Sequence, residues 1–235
     1  MVVYLVPTVH ISSASVTRVQ TAIRELKPAI VAVELCPARY AALVRREKPS
    51  VFGLLSKPRF ALLYLAQQSL GALAGVSPGA EMRAAVETAA QARIPVLLAD
   101  RDISLTLSRL SRVPLREQVS AVIPFVLSGG RLPGGVSVGT EASSRGAPTN
   151  FSQFEDFADP ARLAPLLAAI AQRFPVIYSV LISERDDVLF SRALPFAVER
   201  DVVVVVGAGH VPGVLARFAE YNKNHALPID VRVVR

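Results

Sequence analysis

Residues 202–210 read VVVVVGAGH, a run of five valines that ends in a glycine-flanked turn carrying a histidine. β-branched residues favour strands, and an uninterrupted apolar run is typical of a parallel strand covered by helices on both faces. Ligands of such open sheets bind beyond the carboxyl ends of the strands. The stretch therefore predicts a buried strand followed directly by a candidate site residue, His210.

Four other short apolar runs have the same character, and longer helical patterns separate them. The runs are 2–6, 30–34, 95–99 and 229–234; the helical patterns are 15–26, 37–47, 80–93, 105–112, 161–174 and 211–221. This alternation predicts an α/β fold with a mostly parallel central sheet flanked by helices. We expect a single domain over 1–235, with a helical insertion at about 50–80 and a flexible Gly/Ser/Pro-rich lid loop at about 129–156.

Composition excludes several classes of protein. With 51% hydrophobic and 19% charged residues, the chain is not intrinsically disordered. Cys36 is its single cysteine, so neither an internal disulfide nor a paired-cysteine metal site can form. The net charge of +7 is spread without long basic runs, and tryptophan is absent. These features favour a generally basic surface and predict no specific nucleic-acid partner.

The chain starts directly in an apolar run, without the basic region and long apolar core of a signal peptide. We therefore expect a cytoplasmic protein. The uncharged segment 60–80 is marginal for a membrane span, and a buried helix or an interfacial hairpin is favoured. Association with an anionic membrane surface stays open, as does a homodimer through the apolar region 51–76.

Polar side chains follow four of the apolar runs. In chain order they are His10, then Glu34, then Asp100, Arg101 and Asp102, and finally His210 after the turn glycines Gly207 and Gly209. Because the carboxyl ends of parallel strands meet at one edge of a sheet, we expect these side chains to lie close together.

These residue types suit hydrolysis. An imidazole binds a transition metal or moves protons near neutral pH, and a desolvated carboxylate can act as a base. An arginine can stabilise an oxyanion. Structural alternatives stay open: His10 as a helix cap, Glu34 paired with Arg39, and the Asp100–Asp102 trio as an ion-pair cluster.

Six segments, taken in order, resemble the TraB/PrgY family, part of the wider Tiki-type superfamily. They are TVHIS (8–12) with SV (15–16), VAVELC (31–36) with RY (39–40), GAEM (79–82), DRDI (100–103), ERD (184–186) and VVGAGHVPG (205–213). The match covers most of the chain. It implies an α/β sheet related to erythromycin-esterase-like and haem-uptake-like folds.

The resemblance also implies two Gly-x-x-His motifs and a glutamate as the catalytic core. Carried over residue by residue, His10, Glu34 and His210 would hold a divalent ion (manganese, cobalt or zinc), with Glu34 alternatively activating water. Arg101 and Arg185 would assist at the scissile bond, supported by Arg39, Asp100, Asp102, Glu184 and Asp186. One departure is Pro7, which stands where the first motif has glycine.

Two main hypotheses follow. The first is a metal-dependent hydrolase acting on a peptide or another small amide or ester, as the Tiki-type members are regarded as doing. The second, favoured by Pro7, is a non-catalytic protein that sequesters a peptide or small ligand in the same pocket, as in pheromone shutdown. A third hypothesis is a scaffold that docks on membranes through 60–80.

Overall fold

The structure is a computed structural model, and it describes residues 1–9, 13–45, 79–114, 116–117, 131–132, 136–137 and 159–234. The strands of these residues are β1 (Val2–Thr8), β2 (Ile30–Val33), β3 (Val96–Leu98), β4 (Arg131–Leu132), β5 (Val136–Ser137), β6 (Val202–Gly207) and β7 (Asp230–Val233). The α-helices are α1 (Ser13–Leu26), α2 (Pro37–Arg45), α3 (Ala80–Gln91), α4 (Ile103–Ser111), α5 (Pro160–Arg173), α6 (Pro175–Tyr178), α7 (Glu184–Ala197) and α8 (Val211–Asn224). A π-helical turn (Ser179–Ser183) precedes α7, and a 3₁₀ turn (Ala208–His210) precedes α8.

Five strands form one parallel sheet in the order β3-β2-β6-β1-β7. The valine-rich strand β6 lies at its centre and pairs with β1 on one side and β2 on the other. Each of the five predicted apolar runs contributes one strand to this sheet. The predicted α/β architecture, a parallel sheet flanked by helices, is confirmed.

The central position of β6 explains why its sequence is uniformly apolar. Val202, Val204 and Val206 pack in the core formed with α7 and α8, which contains Leu189 and Phe218. Val203 and Val205 point to the opposite face and pack against α1 and α3. Since side chains alternate between the two faces of a strand and helices cover both, every one of these positions must be apolar.

Pro7 lies inside β1, where its ring is tolerated because the strand is partnered on only one side at that point. It is in register with Val206 of β6, whereas β7 pairs with β1 only from Val2 to Leu5. The carbonyl of Pro7 accepts a hydrogen bond from Arg18 at 3.2 Å. A proline without an N–H therefore costs the sheet no hydrogen bond to β7.

Several sequence predictions fall outside the described residues. His10, nearly all of the predicted helical insertion at 50–80 and most of the predicted lid at 129–156 belong to this group. Within the lid segment, β4 and β5 are described and pair antiparallel. Among the described residues, no helix has the length and apolar character to cross a membrane.

Phe218 provides a test of the core on the α7–α8 side of the sheet. It is fully buried, and its ring meets the edge of Phe190 at a centroid distance of 4.9 Å. We expect Phe218→Ala to lower the free energy of unfolding by about 3–5 kcal/mol, because the substitution leaves a cavity in a packed core. Urea denaturation measures this loss.

Leu227→Ala is the control, because that side chain is 85% exposed. It should change the free energy of unfolding by no more than about 0.5 kcal/mol. Equal effects of the two substitutions would contradict the assignment of Phe218 to the core.

Candidate functional site

Three strand ends bring Glu34, Asp100 and His210 to the same edge of the sheet. Glu34 directly follows β2, and its N–H donates to Val205 of β6 at 3.1 Å. Asp100 follows β3, and its N–H donates to the carbonyl of Leu35 at 3.2 Å. The exposed fractions of the three residues are only 3%, 3% and 4%. The structure thus brings these residues together, as their positions after the apolar runs led us to expect.

The carboxylate of Glu34 is at the centre of the cluster, and both of its oxygens have partners. Oε2 accepts a hydrogen bond from the Gly207 N–H at 2.7 Å. Oε1 accepts one from the Arg185 guanidinium and lies 3.5 Å from Nε2 of His210. Because charge this deeply buried requires compensation, these contacts explain how Glu34 can be ionised there.

Arg185 joins the two buried carboxylates. Its Nε and Nη2 donate to the two oxygens of Asp100 at 3.1 and 2.8 Å, in addition to the bond with Glu34. Burial alone would lower the pKa of the guanidinium, but the charges of Glu34 and Asp100 raise it, so Arg185 stays charged. The geometry is the bidentate pairing that favours arginine over lysine.

His210 lies between two carboxylates. Its Nδ1 is 2.6 Å from Oδ1 of Asp186, and its Nε2 faces Glu34. Burial would lower the pKa of the imidazole, but the charge of Glu34 and the hydrogen bond with Asp186 outweigh it and raise the pKa to about 9. Burial also raises the pKa of the Asp186 carboxyl. Both shifts favour the form of the pair that retains the proton.

The first turn of α7 directs three consecutive side chains to different partners. Glu184 pairs with Arg101 at 2.5 Å, Arg185 contacts Glu34 and Asp100, and Asp186 contacts His210. Successive residues of a helix are rotated by about 100°, so one turn can reach the ends of several strands.

The π-helical turn before α7 is held by three arginines from different elements. Arg101, Arg185 and Arg217 donate to the carbonyls of Val180, Leu181 and Ser183 at 2.5, 3.3 and 2.8 Å. Carbonyls in such a turn depart from the regular α-helical pattern, and π turns occur frequently at functional sites. These contacts fix the start of α7 and hence the positions of Glu184, Arg185 and Asp186.

The contacts of Arg39, Asp102 and Arg101 could not be predicted from the sequence. Arg39 donates to the backbone carbonyl of Glu34 and to Asp100, each at 3.3 Å, so it does not form the ion pair with the Glu34 carboxylate that was one alternative. Asp102 is exposed and caps α4 by accepting from the Ser104 N–H, and hydrogen bonds with the side chain and the N–H of Ser104 lower the pKa of its carboxyl. Arg101 contacts Thr106, Glu184 and Val180. The structure therefore does not bring Asp102 or the guanidinium of Arg101 to Glu34.

The two turn glycines have different environments. Gly207 donates its N–H to Glu34, whereas a Cβ on Gly209 would lie 3.8 Å from the Ile182 side chain, an ordinary contact. Among the contacts of the described residues, Gly207 is the turn glycine that bonds to the cluster.

Sequence reasoning missed the roles of Arg192, Arg217 and Gly213. Arg192 of α7 donates to the carbonyls of Leu98 and Asp100 at 3.1 and 2.6 Å. Arg217 of α8 lies 3.7 Å from Asp186, and Gly213 approaches the same carboxylate. The one available signal was the spacing of Gly213 and Arg217, three and seven residues after His210 on the helix that follows it.

His210 and Glu34 are the described residues whose donor atoms lie close enough together to be compared with a metal-binding pair. Nε2 of His210 and Oε1 of Glu34 are close enough to share an ion, and Asp186 anchors the other ring nitrogen as carboxylates do in metal centres. The described residues contain no group of three or more His, Cys, Asp or Glu that could hold a metal, and His10 lies outside them. An ion at this position would have to replace the Arg185 contact to Oε1.

A cavity of about 480 Å³ lies elsewhere, between α1 and β7, where Tyr4, Arg18 and Arg232 contribute to its lining. It contains none of the candidate site residues. Within the cluster, the side chains of Arg185 and Arg39 are 14% and 34% exposed, whereas those of Glu34 and Asp100 are 4% exposed.

Arg185→Ala tests whether the cluster depends on charge compensation. The substitution leaves Glu34 and Asp100 buried without their shared cation, and we expect it to lower the free energy of unfolding by about 3–5 kcal/mol. Urea denaturation at pH 7 measures the effect. In the control, Arg109→Ala removes a 52%-exposed partner of Glu184 and should cost less than about 1 kcal/mol.

The pKa of His210 predicts a pH dependence of stability in the metal-free protein. Folding raises this pKa from 6.5 to about 9, so the stabilisation is fully present below about pH 6.5 and is lost as the pH rises to about 9. The urea midpoint should fall across this interval. His210→Gln should remove that dependence, while His225→Gln, at an exposed position, should retain it.

Comparisons with known proteins agree with the resemblance seen in the sequence. The model of the TraB/PrgY/gumN family matches residues 1–222. An uncharacterised protein of Methanocaldococcus jannaschii is 30% identical over 224 residues, covering 91% of this chain and 52% of that protein. TraB domain-containing proteins of Bos taurus and Homo sapiens are 28% and 27% identical, each alignment covering 90% of this chain and 61% of the relative. The chain thus spans about half to three-fifths of the length of these relatives. It belongs to the TraB/PrgY/gumN family.

Proposed function

We propose that this protein is a hydrolase of peptide or other amide bonds, with His210 as the group that moves protons in the reaction. The observation that carries the proposal is the buried imidazole between two carboxylates, with Asp186 on Nδ1 and Glu34 facing Nε2. A carboxylate on one ring nitrogen orients the ring and leaves the other nitrogen to exchange a proton with a reactant.

His210 is suited to act first as an acid. With its pKa raised to about 9, the imidazole carries a proton at neutral pH that Nε2 can donate to a leaving amine. Water adds to the carbonyl carbon as the C–N bond breaks, and the neutral ring then takes up the proton that the added water releases, which leaves the carboxylic acid product and restores the imidazolium. Asp186 holds the ring in both states through its contact with Nδ1.

Arg185 is suited to stabilise negative charge next to this proton donor. It is buried except for 14% of its side chain, and it contacts the same oxygen of Glu34 that faces His210. A fixed guanidinium in such a poorly solvated place stabilises a developing oxyanion more than it would in water. Glu34 and Asp100 hold the guanidinium in place.

A metal-dependent form of the proposal has His10, Glu34 and His210 as the ligands of a divalent ion. In that form Nε2 of His210, which faces Glu34, would bind the ion instead of donating a proton. Manganese, cobalt or zinc, when bound, would polarise a carbonyl and lower the pKa of a coordinated water. Imidazole and carboxylate donors suit these ions, and Asp186 supplies the outer hydrogen bond that metal-binding histidines usually have.

The test compares two histidines of the same chain. His210→Ala should lower kcat/KM at least about 100-fold on amino-acid p-nitroanilides, because it removes the proton-transfer group. His225→Ala is the matched control, since His225 is exposed and stacks on Tyr221, and it should keep the parental rate. Each variant is assayed after chelation and after addition of Mn²⁺, Co²⁺ or Zn²⁺, and its folding is checked by circular dichroism.

The outcomes separate the parts of the proposal. The hydrolase assignment would be overturned if His210→Ala cleaved the substrates at the parental rate. It would also be overturned if the parental protein showed no activity with any of the ions. Full activity after chelation would overturn the metal requirement alone. Loss of activity in a folded His10→Ala variant would support His10 as the third ligand.

A second candidate function is the capture of a peptide or small ligand without turnover. It is favoured by the contacts of Glu34, whose two oxygens are bonded to Arg185 and Gly207, because a carboxylate in this state is a poor base. Calorimetric titration with peptides, first in the presence of a chelator and then with Mn²⁺, Co²⁺ or Zn²⁺ added, distinguishes it. Binding without any cleavage would support capture, and cleavage of the bound peptide would exclude it.

A further inference from the structure

Helix α8 approaches the carboxylate of Asp186 more closely than any side chain would allow. A Cβ placed on Gly213 would lie 1.9 Å from Oδ2 of Asp186 and 2.6 Å from its Cγ. Real Cβ atoms essentially never come within 3.0 Å of such atoms. Position 213 must therefore be glycine for Asp186 to occupy its place.

The carboxylate, and not the helix, is the part that would yield to a side chain at position 213. Val211, Val214 and Phe218 anchor α8 in the core on the same face of the sheet. The carboxylate is the free end of a short side chain, and rotating it costs mainly its bond to Nδ1 of His210. A methyl group at position 213 would thus act first on the contact that orients the imidazole.

Arg217 holds the two helices together around this contact. Its Nη1 donates to the Gly213 carbonyl at 2.9 Å and lies 3.7 Å from Oδ2 of Asp186. Its Nε and Nη2 donate to Asp187 and to the Ser183 carbonyl at 2.5 and 2.8 Å. The distance between Gly213 and Asp186 is therefore fixed from both sides.

We propose that Gly213 is a positioning residue whose missing side chain lets Asp186 reach Nδ1 of His210 and set the orientation of that ring. Gly213 acts through Asp186 and needs no contact with a reactant. The proposal rests on the proposed function only where it makes His210 the proton-transfer group; the ring orientation itself is independent of any reaction.

The first experiment measures the ring nitrogens of His210 by long-range ¹H–¹⁵N correlation spectroscopy, with the signals assigned by their loss in His210→Gln. Gly213→Ala should shift the Nδ1 signal away from its wild-type position, because the bond to Asp186 is broken. Ala219→Gly is the matched control: it lies exposed on the same helix and should lower stability without moving the signal. A Gly213→Ala spectrum with Nδ1 at the wild-type position would overturn the proposal.

The second experiment is a double-mutant cycle read from urea midpoints. Gly213→Ala should lower the midpoint clearly in the wild-type background and at most a third as much in the Asp186→Ala background, where the clashing carboxylate is gone. Equal shifts in both backgrounds would overturn the proposal. If the Gly213→Ala protein does not fold, the variant that combines Gly213→Ala with Asp186→Ala should still fold. Failure of both variants to fold would also overturn the proposal. Neither experiment depends on hydrolysis, so each outcome stands whether or not the protein is an enzyme.

Discussion

The burial of one carboxylate, that of Glu34, constrains the arrangement of the whole site. A charge of which only 3% is exposed is stable only where donors surround it, and here they come from two segments far from Glu34 in the sequence. Gly207 donates from the end of β6, Arg185 from the start of α7, and His210 faces it from the turn before α8. The sheet brings these donors together because β2 and β6 are neighbours.

The cluster extends outward from Glu34 through alternating charges. Arg185 links it to Asp100, and Arg39 also contacts Asp100. In the other direction, His210 links Glu34 to Asp186, beside which lies Arg217. Since each acidic group lies beside a basic one, moving a single member leaves a neighbour buried without compensation. This coupling explains why backbone contacts, such as those to the π-helical turn, are needed to hold the arginines in place.

The sequence was sufficient for the strands and for part of the site. Uninterrupted valine runs have few alternatives to a buried strand, so β6 and the positions of Glu34, Asp100 and His210 after their strands followed from local pattern. Side-chain pairing did not follow, because partners such as Arg185 and Glu34 are 151 residues apart. Asp102 shows the limit of local reasoning. It is only two residues after Asp100, yet its carboxylate caps α4 and does not join the cluster. Gly213 could not have been assigned without knowing which side chain α8 approaches.

The contact between Arg185 and Glu34 has a consequence for any ligand of the site. A cation that binds Oε1 of Glu34 must replace the guanidinium, whereas an anion or a carbonyl oxygen can bind the guanidinium without disturbing either carboxylate. Asp100 would hold Arg185 through two hydrogen bonds even if Glu34 turned to another partner. The contact between Arg185 and Glu34 can therefore break while the guanidinium stays paired with Asp100. A different cation at Glu34 would not leave Arg185 buried without an acidic partner.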